Sequence, residues 1–318
     1  MLRLSFVLAG LLASAFLSNL SAQPPQSVKA HTALVHTIAV SPDGKTVATG
    51  GFDNLIKIWD LAPDGTLKEK KVLTGHTAPV YAVAFHPKEN VLVSVSQDKT
   101  GRIWSLADGK TTFELKGHTG IVDTVAYSPD GKMIATGSED KSVKLWNATD
   151  GKELKALGTH AATVYSVAFA PDGKTLVSGS ADNLVKVWDV PGQKELKQLK
   201  GHDQPVTGVV FAGDANVVVS ASMDRSIRVW NVADGKETKK LGPTTDDPYA
   251  IAWWQPSKTL AVCSYAGQVT AWALDDPKLK FTKAIKSPGY CLAFTGDGKG
   301  VLTGHDNGTV VFTTLTGK

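Results

Sequence analysis

Residues 138–147 read SEDKSVKLWN, and residues 180–189 read SADNLVKVWD, which places Trp146 and Trp188 42 positions apart. The spacing is general. Trp59, Trp104, Trp146, Trp188, Trp230 and Trp272 follow one another at steps of 45, 42, 42, 42 and 42, and Phe312 comes 40 residues later. A fixed period of this length marks a repeat architecture, so the chain divides into seven units. The first five are the most regular. Each has an Asp six residues before its Trp (Asp53, Asp98, Asp140, Asp182, Asp224) and a hydroxyl four before that Asp (Thr49, Ser94, Thr136, Ser178, Ser220). A His stands 22 before each Asp: His31, His76, His118, His160 and His202.

Within a unit the pattern is four short strands. In the fourth, VYSVAF (164–169) alternates, APDGK supplies a tight turn, and TLVSGS and LVKVWDV flank a two-residue Asp-Asn turn. The strand KELKQL (194–199) closes the unit, and its charges suit an exposed edge. Unit 1 has three extra residues before this last strand, which accounts for its 45-residue step. Seven four-stranded sheets with apolar residues on both faces bury them best by packing radially around an axis. The expected fold is an all-β, seven-bladed propeller of antiparallel blades.

Composition places the chain among globular proteins, at 42% hydrophobic and 20% charged. Residues 1–22 differ: Arg3, an apolar run from Leu4 to Ser18 and the small residues near Ala22 read as a secretory signal peptide. The mature chain is then a single domain over 23–318, periplasmic or extracellular in a bacterium and without a membrane span. A net charge of +4, with lysines spread through turns and outer strands, is a solvated surface and speaks against a nucleic-acid partner. A monomer is expected. His36, His86 and His305 fit no metal-binding spacing and there is no phosphate loop, so neither metal nor cofactor is expected. Cys263 and Cys291 are open to two readings, a disulfide in an exported protein or two buried thiols.

The residues resemble the WD40 repeat family. The resemblance is carried by Gly75-His76, Gly117-His118 and Gly201-His202, by the Ser-Pro-Asp-Gly turns at 41–44 and 128–131, and by Trp-Asp at 59–60 and 188–189. It implies that each His, hydroxyl, Asp and Trp form a buried hydrogen-bonded tetrad. Five dispersed copies of Ser, His and Asp do not make a hydrolase site, which needs one nucleophile in one cleft. Unit 6 has Thr244, Val262 and Ala266 at the first three tetrad positions, and unit 7 is expected to keep Thr303 and Asp306 across a one-residue deletion, with Phe312 for Trp. Both units are expected to hold by packing alone. Unit 7 ends after its third strand, and Gln26 to Ala30 is expected to supply the fourth, latching the ring.

The resemblance also places a partner face at the top of the ring, lined by the third and fifth residues after each loop His and the residue before each tetrad Asp. The fifth residues are His36, Tyr81, Asp123, Tyr165, Thr207, Tyr249 and Tyr290; those before the Asp are Phe52, Gln97, Glu139, Ala181, Met223, Tyr265 and His305. Five of the six tyrosines fall on this face. The expected function is an exported, non-catalytic scaffold that binds a protein or peptide there. The alternatives are carbohydrate binding by the aromatic face, or a propeller hydrolase of glycosidase or lactonase type. Asp123 and Glu139 are its only acidic pair, expected to engage in a rim salt bridge more readily than in catalysis.

Overall fold

Valine, isoleucine and threonine alternate with smaller residues in short runs separated by Gly, Pro, Asp and Asn, and that pattern folds as strands throughout. The computed structural model describes residues 26–315 apart from 277–279 and 286. The sequence-derived signal peptide lies outside the described residues. Blade 4 shows the rule: strands Val164–Phe169, Thr175–Ser180, Val185–Asp189 and Lys194–Leu199, each antiparallel to the next. Seven such four-stranded sheets make up the described residues.

The core lies between the sheets rather than within any one of them. Seven clusters of buried side chains each join two neighbouring blades, and one joins blade 7 to blade 1. Trp230, for example, packs against Val185, Val187 and Leu199 of blade 4. Every seam therefore draws its apolar surface from both of the blades that it joins.

Closure pairs the first described strand with the last. Strand Ser27–Lys29 pairs with strand Thr309–Thr314 through Ser27 with Val311, Val28 with Val310 and Lys29 with Thr309. The Phe312 amide donates to the Gln26 carbonyl at 2.8 Å, and the Ala30 amide donates to Gly308 at 2.9 Å. The latch read from the sequence is present.

Two turns recur. At the base of blades 1 and 3 the serine of Ser-Pro-Asp-Gly donates to the Asp two residues on, at 2.5 Å for Ser41 and 2.6 Å for Ser128, and the Asp accepts the amide of Lys45 or Lys132. Between the second and third strands, the residue after each Asp adopts a left-handed backbone: Asn54, Lys99, Lys141, Asn183 and Arg225. For a lysine that conformation costs roughly 1 kcal/mol, which the adjacent Asp offsets by accepting the next amide, as Asp98 does from Thr100 at 3.0 Å. Blades 6 and 7 place Gly267 and Gly308 there instead, where a Cβ would come within 2.3 Å of the Ser287 carbonyl and 2.2 Å of the His31 carbonyl. Only glycine fits.

One irregularity repeats in every blade. The innermost strand skips one residue in its register with the second strand, between Val35 and Thr37, Val80 and Ala82, Val122 and Thr124, Val164 and Ser166, Val206 and Gly208, Pro248 and Ala250, and Gly289 and Cys291. A β-bulge frees one residue from the ladder and re-aims its side chain. The seven freed residues are His36, Tyr81, Asp123, Tyr165, Thr207, Tyr249 and Tyr290.

Candidate functional site

Two sets of polar residues are built into this frame, one buried in the blades and one at the mouth of the ring. In blades 1 to 5 the histidine Nδ1 lies 2.7 to 2.9 Å from the Asp carboxylate. Its Nε2 lies 2.7 to 2.8 Å from the hydroxyl. The tryptophan Nε1 donates to that same oxygen at 2.8 to 2.9 Å. Burial lowers the pKa of His31, His118, His160 and His202 against the pull of their Asp partners, so these imidazoles are neutral at pH 7. Burial works against ionisation of Asp53, Asp98, Asp140, Asp182 and Asp224 too, but hydrogen bonds from histidine, hydroxyl or backbone outweigh it and hold each below the usual range, Asp224 at about 2.

These protonation states fix the donors. A neutral imidazole has one N–H, and beside a carboxylate it must sit on Nδ1. Nε2 then accepts from the hydroxyl, whose oxygen accepts from the indole. Every group is used, and no nucleophile is left over. The five repeats fasten each loop to its blade.

A fifth member was not read from the sequence. Four residues after each tetrad Asp stands a cation that pairs with a Glu on the outer strand: Lys57 with Glu69, Arg102 with Glu114, Lys144 with Glu153, Lys186 with Glu195 and Arg228 with Glu237. Three of the lysines lie 5.6 to 5.9 Å from the centroid of the tetrad tryptophan. The positions were visible in the repeat; only the cross-strand register shows that they meet.

Blades 6 and 7 depart from the expectation of packing alone. In blade 6, the Asp246 carboxylate accepts the Ala266 amide, Thr244 donates to the Asp246 carbonyl at 2.8 Å and Thr245 donates to Gln268 at 2.7 Å. In blade 7, His305 is fully buried, with Nε2 2.9 Å from Thr303 Oγ1 and Nδ1 2.9 Å from Ser287 Oγ. It is a strand histidine doing the work of the absent loop histidine, and it does not line the mouth. No residue is deleted: Asn307 takes the tetrad Asp position and accepts from Thr309 as Asp98 does from Thr100. Asp306 is exposed and takes the rim position assigned to His305. Thr313, not Phe312, occupies the Trp position, since Val301 pairs with Thr313 as Leu92 pairs with Trp104. The volume is supplied by Trp254 and Phe294, stacked at 5.9 Å in the seam between blades 6 and 7.

The mouth gathers the bulged residues. His36, Tyr81, Asp123, Tyr165, Thr207, Tyr249 and Tyr290, with Met223, line one cavity of about 240 Å³. Two aromatic walls stand on it. His36, Phe52 and Tyr81 contact one another with ring centroids 4.6 to 5.4 Å apart, and Tyr249, Tyr265 and Tyr290 do so at 5.0 to 6.3 Å. His36 Nδ1 lies 2.8 Å from the Tyr81 carbonyl, and burial lowers the imidazole's pKa, so the ring is neutral and donates there. Tyr265 at the rim is 53% exposed.

Between Tyr81 and Tyr165 in ring order, Asp123 has its Oδ2 buried with no hydrogen-bond partner. Burial and the neighbouring Glu139 charge push its pKa up to about 7. Glu139 is exposed and accepts the Ile121 amide at 3.3 Å. The rim salt bridge expected of this pair is not formed: neither carboxylate enters an ion pair among the described residues.

A larger cavity, about 840 Å³, opens at the opposite end between the turns of blades 1 and 7. Its carboxylates are engaged in local work, Asp43 and Asp297 as turn caps and Asp60 in a pair with Lys70. Cys263 and Cys291 are both free and buried, their thiols pointing at the Gly289 and Val35 carbonyls. Burial pushes Cys263 up to about 12. Among the described residues there is no cluster of metal-ligating side chains and no helix long and apolar enough to cross a membrane.

Blades, seams and loop tetrads together define a repeat propeller of the kind built on WD units. Residues 80–253, more than half of the chain, match the family model of the echinoderm microtubule-associated protein second beta-propeller, and residues 22–60 match the WD domain, G-beta repeat. The chain belongs to the WD-repeat β-propeller family, whose members are typically protein-interaction scaffolds without catalytic activity. No curated protein matches the chain.

Proposed function

We propose that this propeller is an exported, non-catalytic scaffold that binds a protein or peptide on the aromatic mouth of its ring. One observation carries the reading: seven bulges in seven blades aim their freed side chains into a single cavity, and four of the seven are tyrosines. Tyrosine offers a large, rigid contact surface with a polar tip, the composition of a recognition site.

Catalysis finds little support at the same place. Glycoside hydrolysis needs one ionised carboxylate and one acid flanking a bond, and lactone hydrolysis in a propeller needs a metal cage. Here the one acid within the cavity stands alone among neutral side chains, and Glu139 faces outward. Export rests on the sequence pattern of residues 1–22. An intact mass beginning near Gln23, from protein made in an exporting host, supports it; a mass retaining Met1 to Ala22 overturns it.

The binding reading is tested by separating folding from recognition. Mature protein captures its partner from envelope extract, and Tyr249→Ala and Tyr290→Ala are compared with the parent. Both variants keep the parent's melting temperature, and each loses roughly 2 kcal/mol of affinity, a factor of about thirty. Unchanged affinity in both moves the partner site away from the mouth.

A further inference from the structure

The mouth cavity contains one feature that stability alone does not explain. The buried carboxylates of the tetrads each accept hydrogen bonds from a histidine and from backbone, whereas Asp123 keeps a buried oxygen with no partner. Every other residue lining the cavity is neutral: four tyrosines, Thr207, Met223 and a His36 held in its uncharged form. The chain has 34 lysines and arginines, yet none lines this cavity. The charges that act on Asp123 are Glu139 and Asp140, both of its own sign, and Tyr81 and Tyr165 feel its field in turn. A molecule of net charge +4 thus has a negative mouth.

We propose that the cavity receives a basic side chain of the protein partner, a lysine ammonium or an arginine guanidinium, with Asp123 as counter-ion and the tyrosines as walls. The inference rests on the mouth being the partner site and names the chemistry recognised there. Three properties fit it. A cation supplies the donor that Oδ2 lacks, and a charge-assisted bond is stronger than a neutral one. Tyrosine faces attract a desolvated cation through their quadrupole. A cavity of about 240 Å³ admits the end of one long side chain and is smaller than a typical drug-sized pocket. A buried carboxylate oxygen without a partner costs the free protein stability, the kind of cost that functional sites bear. Its pKa of about 7 falls when the cation arrives, so binding releases a proton below neutral pH and tightens as pH rises from 6 to 8.

The probes are short acetylated and amidated peptides that differ only at a central Lys, Arg, Gln, Met or Glu, with binding measured at pH 8. The parent is expected to hold the Lys or Arg peptide at least about tenfold more tightly than the Gln and Met peptides. Asp123→Asn removes that preference while raising the melting temperature, because the buried charge is gone; Asp60→Asn, at the opposite end of the ring, keeps it. The inference is overturned if the parent shows no preference for a basic residue, if no peptide binds, or if the preference survives in Asp123→Asn. Loss of peptide binding in Tyr249→Ala and Tyr290→Ala without any basic preference would leave the mouth as the partner site and remove only the cation. Equal binding by all variants would remove both.

Discussion

Blades 1 to 5 fasten their loops in one way, and blades 6 and 7 each in a way of their own. The first five repeat the same chain of indole, hydroxyl, imidazole and carboxylate, with a cation and a glutamate beyond it. Blade 6 substitutes Asp246, Thr244 and Thr245. Blade 7 swings a histidine in from its own strand. What the blades share is therefore not a residue set but a requirement: the loop between blades must be tied, and any buried donor or acceptor used for this must be satisfied.

The largest expected effect lies in the regular blades. Ser178→Ala leaves His160 Nε2 and Trp188 Nε1 both unpaired in a buried site, at about 1–3 kcal/mol for each group, so roughly 2–6 kcal/mol of stability is lost. Denaturant titration at constant m-value reads it, and a loss under about 1 kcal/mol would mean that the tetrad contributes no more than packing. Next is His305→Ala, which takes the Ser287 hydroxyl's partner, leaves Thr303 only a 3.4 Å bond to the Val311 carbonyl and opens a void. About 2 kcal/mol is expected. A neutral result would return blade 7 to packing alone.

Acid should distinguish the blades as well. His31, His118, His160, His202 and His305 all have pKa values lowered below 6.5, so between the folded and unfolded values the unfolded chain binds protons that the folded chain does not. Stability from these groups is complete above pH 6.5 and falls as pH drops below it. The tetrad aspartates lose theirs only lower, below 3.8. Asp123 runs the other way, its raised pKa costing stability as pH rises from 3.8 through about 7. Hydrogen exchange, corrected for intrinsic rates, should show blades 1, 3, 4, 5 and 7 loosening below pH 6.5 while blade 6, which lacks a histidine, holds. Uniform loosening would make the histidines irrelevant. The smallest effect is Val262→Thr, which restores a hydroxyl to blade 6 with no imidazole to receive it; a change within about 1 kcal/mol is expected, and a clear gain would show that the blade was merely missing its serine.

The fold was legible because a period of 42 residues is written in tryptophan, and the strands of blade 4 fall within a residue of where alternation puts them. The latch was legible because unit 7 is one strand short. Three things were not. His305 was assigned to the rim by counting from Asp306, but whether a side chain enters the blade or leaves it depends on register. Thr303 and Asn307 are four residues apart, like Thr49 and Asp53, and reading that spacing without a deletion would have found it. Phe312 matched tryptophan in kind but sits on the opposite face, because neighbouring residues in a strand point apart. The mouth residues were placed on one face by family resemblance; that each is freed by a bulge, and that Asp123 among them lacks a partner, belongs to tertiary geometry.

The strand Ser27–Lys29 has a consequence for the order of events as the chain is made. Its partner, Thr309–Thr314, is made six blades later, so Ser27–Lys29 must wait for every strand between them before it can pair. A long apolar strand left waiting would recruit whatever edge passed by. This one is three residues long, with one valine between a serine and a lysine, and offers little to a stranger. Its brevity reads as protection during synthesis, and closing the ring becomes a meeting of two distant strands of one molecule rather than of two molecules.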